Sequence, residues 1–569
     1  MKPSVFTRIA AVAAVCLATV LTPAAEQKIY WGDEVPSGWS GTWPAELQTV
    51  PERTKFTRTV SSTELLEYIA ALKTKAEGVH VVNMFTSPLR KVAPAIVISN
   101  PRVASAQQAR ASGKPVVFLF GNIHPPEPEA AEALMMVARD LVLGKSKRLL
   151  QNQIVVIAPI FNVDGTDTLQ VQDGSLGSET PHLFGQRENA AGLDLNRDAV
   201  KLQTIEAQGL YRVLNDWDPV LLLDGHLMSR VSHGYANTYG TTTVPASHPE
   251  PRDYTHDILF PAVRDMVRRD FGLEVFTHAL ATPNTWPPTG WSHDRAAWTV
   301  EAKFIVNDYG LRNRLAIITE TPGQPTFEKR IYAQYAYITA LLDYTNTHAK
   351  EIQAVVKKAD DDTVARVTAG AEAGTLKNWL DGEYRSRGKI DLLAYRTNVA
   401  EVRAGTSLMS TRPGTASGQP ELVRGVDDLT MPVGTREATV PRAYLISADL
   451  TDIAAKLRQH NIRIRTLDAP MRAEGEQFTV ERLRKVRSSG YEMTVLDGAF
   501  APLKTVEFPA GTFYVDMAQP MANAAFYYLE PQARDGFVGW GVLDEALRAR
   551  HKDGAAFPYP IFKMRREIK

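Results

Sequence analysis

Three short polar clusters in this chain bring together residue types that can perform metal-assisted hydrolysis. His124 and Glu127 stand three apart in Gly121-Asn122-Ile123-His124-Pro125-Pro126-Glu127-Pro128. The prolines disfavour helix at His124 and Pro125, so the pair is expected on a loop, with a helix beginning near Pro128. His226 closes the triplet Asp224-Gly225-His226, where the adjacent aspartate could orient the imidazole. Glu320 stands in Thr319-Glu320-Thr321-Pro322-Gly323. Each residue alone has an ordinary reading: a loop histidine, a glutamate favoured by a helix N-terminus, a rim histidine, a hydrogen-bonded strand-end acid. Together His124, Glu127 and His226 supply two imidazoles and one carboxylate, the set that holds a single catalytic zinc ion with a position left for water. Glu320 is then the candidate general base, because burial at a strand mouth raises a carboxyl pKa toward neutrality.

A fourth cluster suits substrate binding. Gly185 to Asp198 sets Arg187 and Arg197 among Glu188, Asp194 and Asp198, with Asn189 and Asn196, in a glycine-punctuated stretch. Arginine binds carboxylates through a planar fork and asparagine adds a neutral donor. Such a loop can clamp the free carboxylate of a peptide end, or can be a surface network of ion pairs.

The elements that must position these residues are legible from hydrophobic runs. Val116–Phe120, Ile154–Ala158, Val220–Leu223 and Leu315–Ile318 are short, all-apolar and separated by helical patterns such as Ser61–Thr74, Glu129–Leu143 and Ala333–Ala371. These are marks of buried strands in an α/β sheet. Three of the runs end where His124, His226 and Glu320 begin, and ligands in open α/β sheets bind beyond the carboxyl ends of strands.

The order of the clusters resembles the zinc metallocarboxypeptidase family, closest in wording to the branch of carboxypeptidases E and N. The stretch Arg187-Glu188-Asn189-Ala190-Ala191-Gly192-Leu193-Asp194-Leu195-Asn196-Arg197 is similar to that family's signature. It stands between a His-x-x-Glu pair and a strand-end Asp-x-His, with the catalytic glutamate after both. Phe161-Asn162-Val163-Asp164-Gly165 resembles the family's Asn-Pro-Asp-Gly turn, with Val163 in place of proline. Other departures are Asp198-Ala199-Val200 and the glycine of Asp224-Gly225-His226. The resemblance covers about residues 50–350 and implies a mixed-sheet α/β/α sandwich of carboxypeptidase type. It implies that Arg187 polarises the scissile carbonyl, that Asn196 and Arg197 bind the terminal carboxylate of a peptide substrate, and that Asp194 accepts from His124. It makes Tyr309, in Tyr309-Gly310-Leu311-Arg312-Asn313-Arg314, a candidate substrate-capping tyrosine, with Tyr235 and Tyr239 as competitors. A zinc amidase or deacylase acting on cell-wall stem peptides or N-acyl amino acids is the alternative on the same scaffold. A catalytically dead binding module, in which the strand-rich region 380–569 carries the role, is a third reading, opposed by the complete metal and base set.

Composition bounds the rest. Lys+Arg and Asp+Glu are both 64 in 569 residues, so no basic excess points to nucleic acid. Residues 1–25 read as an export signal: Lys2 and Arg8, the apolar run Ile9–Leu21, then Thr22-Pro23-Ala24-Ala25. No segment approaches the length of a membrane span. Cys16, the one cysteine, lies in that signal, so a secreted or periplasmic mature chain would carry no disulfide. Beyond a loop expected at Gly405–Gly418, short strands predominate, and 380–569 is expected to form a smaller strand-rich domain of unassigned role.

Overall fold

The four apolar runs become the centre of an eight-stranded sheet. The computed structural model describes residues 28–171, 181–228, 231–282, 286–293, 300–396, 419–488 and 490–568. The expected export signal with Cys16, and the loop expected at Gly405–Gly418, lie outside these residues. The strands are β1 (Val79–Thr86), β2 (Val92–Ile98), β3 (Val116–Gly121), β4 (Ile154–Ala158), β5 (Leu221–Met228), β6 (Asn237–Gly240), β7 (Val275–Thr277) and β8 (Leu315–Pro322). Their spatial order is β1-β2-β4-β3-β5-β8-β6-β7. The run β4-β3-β5-β8 is parallel, whereas β1, β2 and β6 pair antiparallel with their neighbours β2, β4 and β8.

Every residue of β3 and β4 is buried, so both faces of the sheet are covered. Helix Glu129–Val142 packs on helix Phe327–Thr347, which in turn packs on helix Phe260–Phe271, and helix Ile205–Trp217 lies against β1. This is the expected mixed α/β architecture. The single helix expected over Ala333–Ala371 is two, Phe327–Thr347 and Ala349–Gly370, because His348 leaves helical geometry at ψ 20°.

Because β3, β5 and β8 run parallel, their carboxyl ends fall together and carry the clusters after them to one place. The β5–β8 register sets His226 directly beside Glu320. The glycine of Asp224-Gly225-His226 has a steric cause: a Cβ there would lie 2.3 Å from the Cβ of Ala130, at the start of the helix that follows Glu127. Gly225→Ala must push that helix away, and overpacking of this kind costs about 1–3 kcal/mol. A melting curve should shift down and zinc affinity should fall with it. An unchanged melt would show that the helix yields freely.

The region after 377 is strand-rich, as expected, with its longest hairpin formed by β9 (Phe478–Ser488) and β10 (Tyr491–Phe500). It does not stand apart from the first region. Gly290–Ser292 pairs parallel with Glu421–Leu429, so one small sheet is shared. Val200, Val244, Ala302 and Leu311 join a buried cluster with Tyr527 and Tyr528. Asp308 accepts from the hydroxyls of Tyr211 and Tyr528. Asp535 accepts from the backbone of Ala302 and Lys303 and from Tyr527. Among the described residues no helix is long and apolar enough to cross a membrane.

Candidate metal centre

Asn122 turns the chain out of β3 at φ 56° and ties its amide to Thr166 Oγ1 at 2.8 Å. The next turn, closed by Glu127 N–H on His124 O at 2.8 Å, brings the two side chains together. The helix then starts at Glu129, with Pro128 capping it, so the expected loop-to-helix change lies where the prolines put it. The ligating atoms of His124, Glu127 and His226 all lie within 4.8 Å of one another, and all three residues are buried. Glu127 reaches both rings: Oε1 is 3.1 Å from His124 Nδ1 and Oε2 is 2.9 Å from His226 Nδ1.

The outer edges of the rings are oriented by carboxylates. His124 Nε2 is 3.0 Å from Asp194 Oδ1. His226 Nε2 is 3.0 Å from Asp224 Oδ2, a charge contact that is not aligned as a hydrogen bond. With its Nε2–H directed at Asp194, the His124 ring keeps Nδ1 for a metal, the arrangement that fixes tautomer and basicity in histidine metal sites, and His226 turns its own Nδ1 toward Glu127. The buried His124 Nδ1 has no hydrogen-bond partner. The residues therefore fit a zinc ion held by two imidazoles and a carboxylate. Burial opposes charge on His226 and Glu127. In the site without metal, Asp224 and Glu127 nonetheless hold the His226 pKa well above its ordinary value. Against the same burial, His124 and His226 hold Glu127 well below the carboxylate range, and His124, Arg197 and Arg187 do the same for Asp194.

Arg187 joins this centre. Its Nη1 donates to Glu127 Oε1 at 3.0 Å and its Nη2 to Asp194 Oδ2 at 3.1 Å. The Phe161–Gly165 turn explains why it sits there: Asn162 donates to Arg187 O at 3.2 Å and accepts from Gly165 N–H at 2.9 Å. A Cβ on Gly165 would lie 2.6 Å from Gln186 O, so the turn and the arginine loop fit only with glycine. Within that loop Asn189 accepts from the backbone of Ala191 and Leu193. Asp194 caps the single turn Leu195–Arg197 by accepting from Asn196 N–H. Arg197 donates to Asn196 O at 2.8 Å and lies over the Phe304 ring at 4.5 Å.

Glu320 faces this group from β8. Its Oε2 is buried without a hydrogen-bond partner. Burial pushes its pKa up to about 8; His226 opposes the rise, and Glu127 and Asp224 add to it.

Two expectations need revision. Tyr309 is not at the site: it is buried on the short helix Ile305–Gly310 and donates to Pro219 O at 2.6 Å, in the sheet core. Its competitors are engaged too. Tyr235 OH accepts from Leu393 N–H, and Tyr239 stacks on Tyr337 with centroids 5.1 Å apart. Asn196 is at the site, but its amide is occupied. Oδ1 accepts from Ile305 N–H at 3.1 Å, and Nδ2 lies 3.2 Å from His226 Nε2. Sequence reasoning missed Gln334, which donates to His226 O at 3.1 Å and accepts from Thr319 Oγ1. It also missed the buried pair Arg330–Glu129. Neither lies within any local motif.

Residues 65–243 match the family model described as zinc carboxypeptidase, a span that holds all three candidate ligands and the arginine loop. Carboxypeptidase 2 of Trichophyton equinum is 23% identical over 491 residues, 81% of this chain and 78% of that protein. Carboxypeptidase D of Mus musculus is 35% identical over 91 residues, 15% of this chain and 7% of that protein. A metallo-carboxypeptidase structure from Burkholderia cenocepacia gives a TM-score of 0.37 at 16% identity, covering 51% of this chain and 70% of that one. Residues 65–243 are thus a zinc carboxypeptidase region within the longer chain, a hydrolase with one zinc ion as its cofactor.

Proposed function

We propose that the enzyme removes the last residue from peptides that end in a free carboxylate. The observation that carries this reading is Arg197. Among the described residues it meets no carboxylate nearer than Asp194 at 4.0 Å, and its side chain is only 12% exposed. A sheltered guanidinium beside a hydrolytic centre has room for one more anion.

Zinc, when bound, supplies Lewis acidity: it lowers the pKa of water toward 7 and polarises a carbonyl oxygen. Glu320 takes the proton of the attacking water at its unclaimed oxygen and returns it to the leaving amine nitrogen. Arg187, held in place by Glu127 and Asp194, faces the oxyanion that develops on the scissile carbonyl. A donor of that kind is worth about 3 kcal/mol of barrier. Arg197 grips the terminal carboxylate and so sets the last peptide bond against the reacting groups. Asn196 can add its own amide only by leaving the edge of His226. Peptide substrates follow from the family, and the apolar leader at 1–25 supports export to the periplasm or medium.

A peptide mixture bearing every residue at the last position, supplied as free acids and as carboxamides, tests the reading. Free acids should lose one residue, amides should persist, and a chelator should stop the reaction. Arg197→Met should lower kcat/KM for free acids about 100-fold, the scale of a charge-assisted bidentate contact. Equal cleavage of acids and amides would instead favour the amidase reading.

A further inference from the structure

The C-terminal region presents an aromatic pair to the arginine loop. Tyr491 opens β10, opposite Ser488 at the end of the long hairpin. Its hydroxyl lies near the Arg197 side chain, and its surroundings include Asp194 and Arg187. Lys303 Nζ lies 5.8 Å from the centre of the same ring. The ring also meets Trp540 edge to face, with centroids 5.4 Å apart, and Lys201 Nζ lies 4.6 Å from the Trp540 ring. Cations from 187 to 303 thus gather under two aromatic rings that come from 491 and 540.

The hairpin is held firmly enough to act as a wall. Thr494 donates to Asp544 at 2.6 Å and its N–H to Gly539 O at 3.0 Å. The segment beneath it is fixed by Asp535, which accepts from the N–H groups of Ala302 and Lys303. These residues directly precede Phe304, the ring under Arg197. The segment that carries Asp535 and Gly539 therefore ties the hairpin to the residues before Phe304. Tyr491 itself is only partly buried. Burial raises its pKa above the ordinary phenol value, which keeps the hydroxyl protonated at neutral pH. A phenol oxygen can accept from a guanidinium while its proton is donated elsewhere.

We infer that the C-terminal domain completes the substrate site, with Tyr491 donating its hydroxyl proton to the same terminal carboxylate that Arg197 binds. This rests on the proposed role of Arg197 and assigns the task for which Tyr309 was the sequence candidate. It also gives the domain a function: it closes the anchor end of the cleft, so the last residue of the substrate is enclosed between two domains. Trp540 supports the phenol ring without touching the carboxylate.

The test uses the full chain loaded with zinc and the acid and amide peptide mixture. Tyr491→Phe keeps the ring against Trp540 and removes only the hydroxyl. Its melting temperature and zinc content should match the parent. Its KM for free acids should rise about tenfold with kcat within twofold, the pattern of a lost ground-state contact to a charged group. Amides should persist with the variant as with the parent, so the preference for acids shrinks. A variant with unaltered KM on free acids, in an enzyme that prefers acids and loses that preference with Arg197→Met, would overturn the role of Tyr491 alone. A parent enzyme without preference for free acids would overturn the reading of Arg197, and this inference with it.

Discussion

Glu320→Gln is expected to lower kcat by about 10³-fold while the protein keeps its zinc, within the range that a positioned general base contributes. The substitution preserves shape and removes one proton-accepting charge. Glu320 is not among the three metal-ligating side chains, so occupancy should remain one ion per chain. Its Oε2 is buried beside His226 and meets no donor, so its place in the structure is not explained by a structural hydrogen bond. Its pKa, pushed up to about 8 by burial in the metal-free site, marks a carboxylate that binds a proton readily. Glutamine cannot accept that proton. Metal analysis by atomic absorption and steady-state kinetics on the same preparation would check the claim. A kcat within tenfold of the parent, with zinc bound, would remove Glu320 from the mechanism.

The centre was readable from sequence because its members sit at the ends of runs whose direction the pattern already implied. Parallel strands bring their carboxyl ends together, so His124, His226 and Glu320 had to converge once those runs were strands. The loop-to-helix change at Pro128 follows from backbone chemistry alone. What escaped were contacts made by tertiary approach. Tyr309 stands eleven residues before Glu320, yet the short helix that carries it turns the ring into the core, toward Pro219. Tyr491 stands near the arginine loop only because a hairpin from the second region folds over it. The split expected near 380 has the same weakness. Short strands after that point were legible, but the parallel pairing of Gly290–Ser292 with Glu421–Leu429 depends on partners with no shared local signal.

Arg330 and Glu129 are another such pair, and their loss should have the largest effect on stability. Arg330 Nε donates to Glu129 Oε1 at 2.7 Å, with side chains 3% and 0% exposed. Arg330 Nη1 also donates to Gly323 O and Pro325 O, at 3.1 and 3.0 Å. Glu129 begins the helix two residues after the ligand Glu127, and Gly323 lies three residues after Glu320. One guanidinium therefore braces the ligand loop against the turn that follows the base. Burial already raises the Glu129 pKa with Arg330 present, and Glu129 Oε2 has no hydrogen-bond partner. Arg330→Met would leave that carboxyl without its countercharge and two carbonyls without their donor. Breaking a buried pair from one side costs about 3–5 kcal/mol. For a domain of this size that is a fall in melting temperature on the order of 10 °C. Adding Glu129→Leu to Arg330→Met removes the stranded carboxyl, and the double variant should melt above the single one. If the two losses simply add, the pair is not coupled and the brace between ligand loop and base must be sought elsewhere. If they compensate in stability while zinc affinity stays low, the pair positions Glu127 through the helix rather than merely holding the fold.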